Sequence, residues 1–562
     1  MDAAPDPSDR VAQGWEALRE GVWSEARHAF ENALRVRETP PALEGYAQAT
    51  RWLGQASASL DTRERAFRAY REAGDAAGAA RNATWLAYDH VAFRGDVAVA
   101  GGWFARAHRL LEDLGDSEER GWLAFFEGEV ALLSANNTVR AGELARLASE
   151  IGARRQILDL EMVGRSLEGL ARVAAGEVSE GMALLDEASA AAVSGEFAGL
   201  HFAGNACCHL IYACERVQDV DRAAQWCDTV CGFCESWSVP QLFGFCRAHY
   251  ASVLILRGEW EVAERELAGA MSAFERGAPA LEFEALLRLA ELRRRQGRAE
   301  EAAELCDRIS WHPQAKLCLA ELALDRGHAR AAEDLLARYL RALPTGERLA
   351  RAPALALLAR AHADRGERDL ASSDVDELAG ITAGAGTDSL RASLRFSEGV
   401  VAKARADNEG AREAFEDVVD LWTRCGAPFE AARARVALGL ALWELARDED
   451  AERELSAAVA QLEALGAEGE RARTGALLEE MRQSRAMAAS RSAGDRAHHE
   501  ILSPREVEVL RLAARGLTDP EIAERLVVSK HTVHRHMGNI RTKLNERSKA
   551  GAVAKAAAEG LL

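Results

Sequence analysis

The sequence lacks the features that mark membrane and secreted proteins. It contains no run of about 18 apolar residues, and its first residues, MDAAPDPSDR, are polar and acidic rather than basic and then apolar. Ten cysteines in 562 residues are too few for a disulfide scaffold. We therefore expect no membrane span and no secretion signal, and we predict a cytoplasmic protein that keeps its cysteines reduced.

Sequence motifs of common enzymes and switches are also missing. No G-x4-G-K-[ST] segment for binding nucleotide phosphates occurs, and no alternation of strands and helices begins the chain as a phosphorylated receiver domain requires. The segment Gly384-Ala385-Gly386 has no strand before it, so we interpret it as a glycine-rich connection between helices. The sequence predicts that the protein is not an enzyme.

What the chain does contain is charge of opposite sign in two regions. The net charge is −19, yet residues 501–562 hold 11 Lys and Arg against 7 Asp and Glu. The rest of the chain is therefore strongly acidic and the last 62 residues are basic, which favours two functions in two regions. With 562 residues and 48% hydrophobic content, we expect several domains or a long repeat array.

A sequence pattern typical of paired helices recurs through the acidic region. Examples are LREGVWSEARHAFENAL from Leu18, VAAGEVSEGMALLDEA from Val173 and LILRGEWEVAERELAGAM from Leu254. The predicted turn residues are mostly about 40 residues apart, or twice that; they are Gly95, Gly176, Gly258, Gly297, Gly366 and Asp407. One helix pair cannot cover its own apolar face, so successive pairs stack. The pattern resembles tetratricopeptide-like repeats, and we predict an elongated, all-α solenoid of such helix pairs over residues 1–481.

Such arrays present a concave groove, and we expect this one to bind an unknown small-molecule or protein ligand. The alternative is a spacer or dimerisation scaffold. The tryptophans at helical spacing are interpreted as packing residues rather than as a ligand site; they are Trp52, Trp85, Trp103, Trp122, Trp226, Trp237 and Trp260.

Cysteines cluster between positions 207 and 246. Helical spacing places Cys227, Cys231 and Cys234 on one face, and Cys207 and Cys214 on one face of the preceding helix. Together with Cys246 they are candidate thiolates for zinc, for an iron–sulfur cluster or for a redox-sensing pair. The same spacing also suits core packing. No cofactor is predicted, and both interpretations of the cysteines, a metal or redox site and core packing, stay open.

Residues 482–500 have no apolar period. The sequence QSRAMAASRSAGDRAHHE is rich in Ala, Ser, Arg and His, which is typical of a flexible linker. We predict a tether there that lets the repeat region cover or release the last domain.

Capping signals divide residues 501–562 into helices. Ser503-Pro504-Arg505-Glu506 and Thr518-Asp519-Pro520-Glu521 each offer a capping box, and Gly516 suits the turn between the two helices. Ser529 can cap a third helix from about Lys530 to about Leu544. The order predicts a helix-turn-helix.

The third helix has one apolar and one basic face. Its predicted buried stripe consists of Val533, Met537, Ile540 and Leu544. The outward face has no acidic residue and consists of His534, Arg535, Gly538, Asn539 and Arg541. Such residues read bases and bind phosphates in duplex DNA.

Residues 501–562 contain, in this order, LSPRE, VLRL, GLT, EIAERL, VS-x-x-TVHRH, NI-x-x-KL and RS, followed by an alanine-rich fourth helix. This pattern resembles the DNA-binding domain of LuxR-type transcription regulators. The resemblance implies base-facing roles for His534, Arg535 and Gly538. It implies phosphate-facing roles for Ser529, Lys530, Thr532, His536 and Lys543, and it implies pairing of two copies through the fourth helix. From its charge and position we also expect Arg541 to bind phosphate. The chain departs from the pattern at Pro520, at Gly538 and at Asn545-Glu546, so the base preference and the junction after the third helix stay open.

We therefore expect a transcription regulator with a helical-repeat region (1–481), a linker (482–500) and a four-helix LuxR-type domain (501–562). Its expected partners are duplex DNA, RNA polymerase and a second copy of the chain. One alternative is an interaction scaffold whose last domain only dimerises. Another is a metal- or thiol-responsive regulator that uses the cysteine cluster.

Overall fold

The computed structural model describes residues 7–133, 137–237, 243–343, 347–384 and 386–562. Within these ranges every regular element is a helix, which confirms the predicted all-α class. No helix among these residues has the length and apolarity needed to cross a membrane. The chain divides into two compact units, Met1–Gly475 and Ala476–Leu562, here called the repeat unit and the C-terminal unit.

Helices of similar length follow one another through the first half of the repeat unit. They are α1 (Pro7–Arg19), α2 (Trp23–Val36), α3 (Pro40–Trp52), α4 (Ala56–Glu72), α5 (Ala76–Arg94), α6 (Val97–Leu111), α7 (Glu118–Leu133), α8 (Thr138–Arg155), α9 (Leu158–Ala175), α10 (Val178–Val193), α11 (Leu200–Val217) and α12 (Val220–Trp237).

The second half continues in the same way. Its helices are α13 (Phe243–Arg257), α14 (Trp260–Gly277), α15 (Glu282–Arg295), α16 (Ala299–Arg308), α17 (Ala315–Asp325), α18 (Ala329–Ala342), α19 (Arg348–Asp364), α20 (Arg368–Thr382), α21 (Asp388–Ala404), α22 (Asn408–Arg424), α23 (Pro428–Glu444) and α24 (Asp448–Leu465). Two short 3-10 turns, Glu112–Leu114 and Pro279–Leu281, lie between helices.

Left-handed residues end these helices at regular intervals. In the last third of the repeat unit they recur every 20 residues with φ between 56° and 76°, at Gly366, Gly386, Ala406, Gly426, Ala446 and Gly466. A turn after each helix gives a helix pair of 40 residues, which confirms the predicted period.

One predicted turn residue has a different role. The left-handed position is Ala406, whereas the Asp407 carboxylate caps α22 by accepting a hydrogen bond from the Gly410 backbone N–H at 2.9 Å. Alanine is a less common residue in this conformation, so the sequence offered no signal for it.

The repeat unit is more closed than the elongated array that the repeats predict. Consecutive helices pack as antiparallel pairs, but α9 and α11 also contact α19, and α13 contacts α23. A simple stack brings only neighbouring repeats together. The early and late helices of this unit therefore meet and enclose a space between them.

Glycines allow close helix packing in the repeat unit. A Cβ atom added to Gly181 of α10 would lie 2.5 Å from the backbone oxygen of Gly169 of α9, which is too close for any side chain. The two helices can approach to this distance because both positions lack a side chain.

The C-terminal unit contains four short helices after a long one. Helix α25 (Glu468–Ile501) begins in the repeat unit and ends in the C-terminal unit, and it is followed by α26 (Pro504–Ala514), α27 (Asp519–Arg525), α28 (Lys530–Lys543) and α29 (Lys549–Ala558). The predicted linker 482–500 has helical backbone, because alanine and arginine favour helix even where no apolar face exists. Its role as a linker stays a prediction.

The core of the C-terminal unit is formed by one apolar face from each short helix. Its buried residues include Val509 and Leu510 of α26, Ile522 of α27 and Ala552 of α29. These surround the apolar stripe of α28, so that helix is held on one side and its other side remains open to solvent.

Candidate nucleic-acid interface and internal cavity

Both predicted capping boxes orient the helices that support α28. At α26 the Ser503 hydroxyl accepts from the Glu506 N–H, and the Glu506 carboxylate accepts from the Ser503 N–H at 2.8 Å. At α27 the Glu521 carboxylate accepts from the Thr518 N–H at 2.7 Å. Gly516 takes the left-handed conformation, with φ 85°, between the two helices. The predicted order of helices is therefore confirmed, and α27 and α28 are the middle pair that was predicted as the helix-turn-helix.

Helix α28 has the two faces that the sequence predicts. Val533, Met537, Ile540 and Leu544 are buried at 4% exposure or less. On the opposite face Lys530, His534, Arg535 and Asn539 are exposed, and His536 and Gly538 are partly exposed. The described side chains on this outer face form no hydrogen bond that would hold Lys530 or Arg535, so both cations are available to a ligand.

The N-terminus of α28 is capped by its own side chains. The Ser529 hydroxyl accepts from the Thr532 N–H at 3.1 Å, and the two hydroxyls lie 2.8 Å apart. The helix dipole adds partial positive charge at this end, beside Lys530. An anion such as a DNA phosphate is favoured there.

Two predicted contact residues already have acidic neighbours. The Lys543 ammonium donates to the Glu506 carboxylate at 2.6 Å, although Lys543 stays 42% exposed. His534 Nδ1 lies 3.8 Å from the Asp519 carboxylate, which also accepts from Lys549 at 2.8 Å. Lys543 thus supports the capping box of α26 in addition to its predicted role.

The hydrogen bonds of Glu506 lower its pKa. Burial alone raises the pKa of this carboxyl, but the hydrogen bonds from Lys543 and Ser503 outweigh burial and hold the pKa below its ordinary value. Glu506 is therefore charged near neutral pH and fixes the orientation between α26 and α28.

The junction after α28 is formed by asparagine in place of glycine. Asn545 has φ 55°, a left-handed conformation that asparagine tolerates better than most residues. The following Glu546 N–H donates to the Arg541 carbonyl at 2.8 Å and completes the helix end. Arg541 is partly exposed, and its guanidinium turns to the Arg547 carbonyl at 3.5 Å, so it lies at the edge of the outer face.

The turn between α27 and α28 contains a strained residue that no sequence pattern predicts. Val527 has φ 52° and is 91% exposed, a combination that is unusual for a β-branched residue. It stands one residue before the Val528 N–H that closes the turn on the Ala523 carbonyl at 2.9 Å.

Gly538 leaves space on the outer face. A Cβ atom added there would meet no atom within 4 Å. The absence of a side chain is therefore not required by packing inside the C-terminal unit.

The cysteine cluster of the repeat unit is divided among separate environments. Cys207 lies in a small core with Ala188 and Ala203, whereas Cys214 lies in the main core. Burial raises the pKa of both thiols, to about 12 for Cys207, so neither is a thiolate at neutral pH. Their seven-residue spacing does not bring them together.

A disulfide joins Cys208 of α11 to Cys246 of α13. Cys227 of α12 packs in the same apolar cluster as these two residues. The side chains of Cys231 and Cys234 lie outside those that the structure describes. Cys246 was a candidate metal ligand, but in this structure it is bonded to another sulfur.

A group of potential metal ligands without cysteine occurs elsewhere in the described residues. Atoms of Glu333, His362 and Glu367 lie within 4.8 Å of one another. Both carboxylates form ion pairs with Arg365, and His362 Nδ1 lies 2.6 Å from an oxygen of Asp374. Because these three side chains already pair with Arg365 and Asp374, we interpret the group as an ion-pair cluster.

The space enclosed by the repeat unit is a cavity of about 720 Å³. One face of α11 runs along it, and the polar and aromatic residues of that face are His201, Asn205, His209, Tyr212, Glu215 and Arg216. Trp52 also lines the cavity, so the interpretation of that tryptophan as packing alone is incomplete. Polar residues at helical spacing on an inner helix were the signal for this site in the sequence.

The C-terminal residues match a known family. Residues 500–556 match the model described as "Bacterial regulatory proteins, luxR family" (GerE). The chain therefore carries a LuxR-type helix-turn-helix domain in this segment, as the resemblance implied.

Curated relatives share this segment. The chain is 45% identical over 62 residues to the HTH-type quorum sensing-dependent transcriptional regulator VjbR of Brucella ovis, which is 11% of this chain and 24% of that protein. It is 52% identical over 50 residues to the oxygen regulatory protein NreC of Staphylococcus epidermidis, which is 9% of this chain and 23% of that protein. The chain thus spans about a quarter of the length of these relatives.

Two solved structures align with most of the chain at low sequence identity. The structure titled APC/C hetero-tetramer Cut9-Hcn1 covers 82% of this chain and 88% of its own, with 15% identity and a TM-score of 0.42. The structure titled Rap protein complexed with competence and sporulation factor covers 69% of this chain and 98% of its own, with 13% identity and a TM-score of 0.37.

Proposed function

We propose that this protein is a cytoplasmic transcription regulator that reads duplex DNA through α28. The observation that carries the proposal is the open face of this helix, in which Lys530, His534 and Arg535 are exposed on a LuxR-type domain. The name of VjbR, a transcriptional regulator, supports it, and so does the name of NreC, an oxygen regulatory protein. An open basic helix with its opposite side buried has the geometry for insertion into the major groove.

The residues on this face divide into two roles. Arg535 and His534 are proposed to contact base edges, since arginine forms two hydrogen bonds with guanine. Ser529, Lys530, Thr532 and the backbone N–H groups at the start of α28 are proposed to bind phosphates. His536 and Lys543 flank these positions, and we assign them to the DNA backbone as well.

We propose that two copies pair through α29 on a two-fold symmetric DNA site and engage RNA polymerase. Ala550, Ala554 and Ala557 are exposed at positions i, i+4 and i+7 of this helix and so share one face. Small side chains there would let two copies of α29 approach closely, and the chain would then contact two DNA half-sites.

Selection of bound duplexes from a random DNA library tests the assignment of Arg535. We expect Arg535→Ala in the full-length protein to flatten the selected sequence at one position in each half-site, because a bidentate base contact is worth about 1–3 kcal/mol. Arg511→Ala is the matched control, since Arg511 is an exposed arginine of α26 outside the proposed interface. If Arg535→Ala selects the same sequence as the wild type, α28 does not read DNA in this orientation. A full-length wild type that selects no sequence would favour the scaffold alternative.

We further propose that the repeat unit controls the DNA-binding domain by binding a ligand in its cavity. The cavity is in the size range of small-molecule sites, and it combines apolar walls with a few buried polar groups. Differential affinity of the ligand for two states of the protein would then change DNA affinity.

A second candidate function is a thiol-responsive regulator. The Cys208–Cys246 disulfide favours it, because structural disulfides are rare in proteins that work on DNA in a reducing compartment. Cys208 also lines the cavity, through which a small thiol would reach the bond. Zinc or an iron–sulfur cluster would need Cys246 to be reduced first.

Reduction of the full-length protein tests the second candidate. We expect a reversible change in DNA affinity on treatment with dithiothreitol, and a fixed, reduced-like affinity in Cys208→Ser. The matched control is Cys425→Ser, since this buried cysteine lies outside the cluster. Equal DNA affinity before and after reduction would exclude thiol control.

A further inference from the structure

Two carboxylates of the repeat-unit cavity contact α11 at different positions along its length. Glu129 of α7 accepts a hydrogen bond from Asn205 at 3.4 Å, and its Oε1 atom lies 3.7 Å from His209 Nε2. Glu347, before the start of α19, forms an ion pair with Arg216. Both glutamates line the cavity and are at most 5% exposed.

Each carboxylate has one oxygen that is not satisfied. Glu129 Oε2 and Glu347 Oε1 are buried and have no hydrogen-bond partner among the described residues. Buried polar groups are nearly always paired in folded proteins. These atoms therefore indicate a ligand that donates hydrogen bonds.

The charges of the lining favour a cation. Glu129, Glu215, Glu284 and Glu347 line the cavity, against Arg51, Arg216 and Arg288. Each arginine has an acidic partner: Arg51 pairs with Asp89, which Arg63 also contacts, Arg216 pairs with Glu347, and Arg288 pairs with both Glu215 and Glu284. Among the described residues Glu129 has no arginine partner, and Glu347 uses one of its two oxygens for Arg216. An anionic ligand would find no cation without a partner among these arginines.

The distance between the two carboxylates sets the length of the ligand. Their contacts on α11 are Asn205 and His209 for Glu129, and Arg216 for Glu347. With a rise of about 1.5 Å per residue, these positions are about 10–16 Å apart along the helix axis. Between them the wall is aromatic, with the rings of Tyr212 and Phe245 5.8 Å apart.

We propose that the cavity binds a linear organic dication with a protonated amine at each end of an apolar chain, one amine at Glu129 and the other at Glu347. Linear diamines and polyamines belong to this class. The two amines satisfy the two unpaired oxygens, and the chain packs against the aromatic wall. The inference rests on the proposed sensing role of the repeat unit and names the chemistry that it senses.

Calorimetric titration of the full-length protein without DNA tests the proposal with three matched probes. They are 1,8-diaminooctane, octylamine and 1,8-octanediol, which share the chain and differ in charge. We expect the diamine to bind at least about tenfold more tightly than the monoamine, since a hydrogen bond to a charged group is worth that much, and the diol not to bind. Equal affinity for diamine and monoamine would overturn the proposal.

Substitutions separate the cavity from general attraction to an acidic protein. Glu129→Gln and Glu347→Gln should each lower diamine affinity about tenfold, to the level of the monoamine. Glu413→Gln is the control, because Glu413 of α22 is 61% exposed and far in sequence from the cavity lining. A loss of the same size in Glu413→Gln would show surface attraction only and overturn the proposal.

Thermal unfolding checks that each variant folds. If Glu347→Gln unfolds because Arg216 loses its partner, Glu129→Gln alone decides the outcome. Since no DNA is present, failure of ligand binding leaves the DNA-reading proposal intact, and failure of DNA binding leaves this one intact.

Discussion

One residue of the C-terminal unit has a backbone conformation that is unfavourable for its type. Val527 holds a left-handed conformation in the turn before α28, while the capping residues around it follow ordinary preferences. The caps at Ser503 and Ser529 could be predicted from the sequence, because side-chain chemistry next to a helix start is local information. The conformation of Val527 could not, because valine disfavours it.

Val527→Asn is expected to stabilise the C-terminal unit by about 1 kcal/mol, because asparagine adopts the left-handed conformation more readily than a β-branched residue. The side chain is 91% exposed, so no packing is lost. Amide hydrogen exchange of peptides from α27 and α28 in the full-length protein measures the effect. Faster exchange in the variant would contradict the conformation described for this turn.

The contact that Glu506 makes between α26 and α28 is expected to weaken in acid. Because its pKa is lowered in the folded state, its contribution is fully present above the ordinary carboxyl pKa of about 4.3 and is lost as the pH falls through the lower folded value. Glu506→Gln should destabilise the unit by about 1–2 kcal/mol at pH 7 through loss of the charged cap and the Lys543 pair.

Hydrogen exchange of α26 at pH 7 and pH 4 compares wild type with Glu506→Gln. The difference between the two proteins should shrink at the lower pH. A difference that stays constant across this range would show that the carboxylate charge contributes nothing. Glu508→Gln, at an exposed position of the same helix, serves as the control.

At the scale of elements, α28 was predictable and α25 was not. The apolar stripe from Val533 to Leu544 and the cap at Ser529 define the ends of α28, and both are encoded within a few residues. Residues 482–500 carry no such pattern, so composition indicated a linker where the backbone is helical. A segment without a periodic apolar pattern offers only intrinsic propensity as a signal for helix.

Helix packing in the repeat unit predicts opposite effects for two glycines. Gly181→Ala should destabilise the protein by about 1–3 kcal/mol, since its Cβ would clash with the α9 backbone. Gly142→Ala in α8 meets no atom closer than 3.9 Å and should stabilise by up to about 1 kcal/mol through helix propensity. Thermal unfolding of the full-length variants measures both. Stabilisation by Gly181→Ala would show that α9 and α10 are not in close contact.

At the scale of the whole molecule, the sequence predicts the repeat period and the two charged regions, but it does not predict the cavity of the repeat unit. The 40-residue period follows from local turn residues, and the opposite charges of the two regions follow from composition. The cavity depends on contacts of α9 and α11 with α19, between residues more than 130 positions apart, and no local pattern encodes them. Only the contacts between these distant helices place Glu129, His209 and Glu347 around one cavity.

The central claim is that the basic face of α28 binds duplex DNA. The most direct measurement is the affinity of the full-length protein for a selected duplex and for a scrambled duplex over a series of salt concentrations. We predict that log affinity falls linearly with log salt for both, because phosphate binding releases counterions, and that the selected duplex remains preferred throughout. Lys530→Ala should reduce the slope by about one, while Arg511→Ala leaves it unchanged. Equal affinity for the two duplexes at every salt concentration, or no measurable binding, would contradict the account.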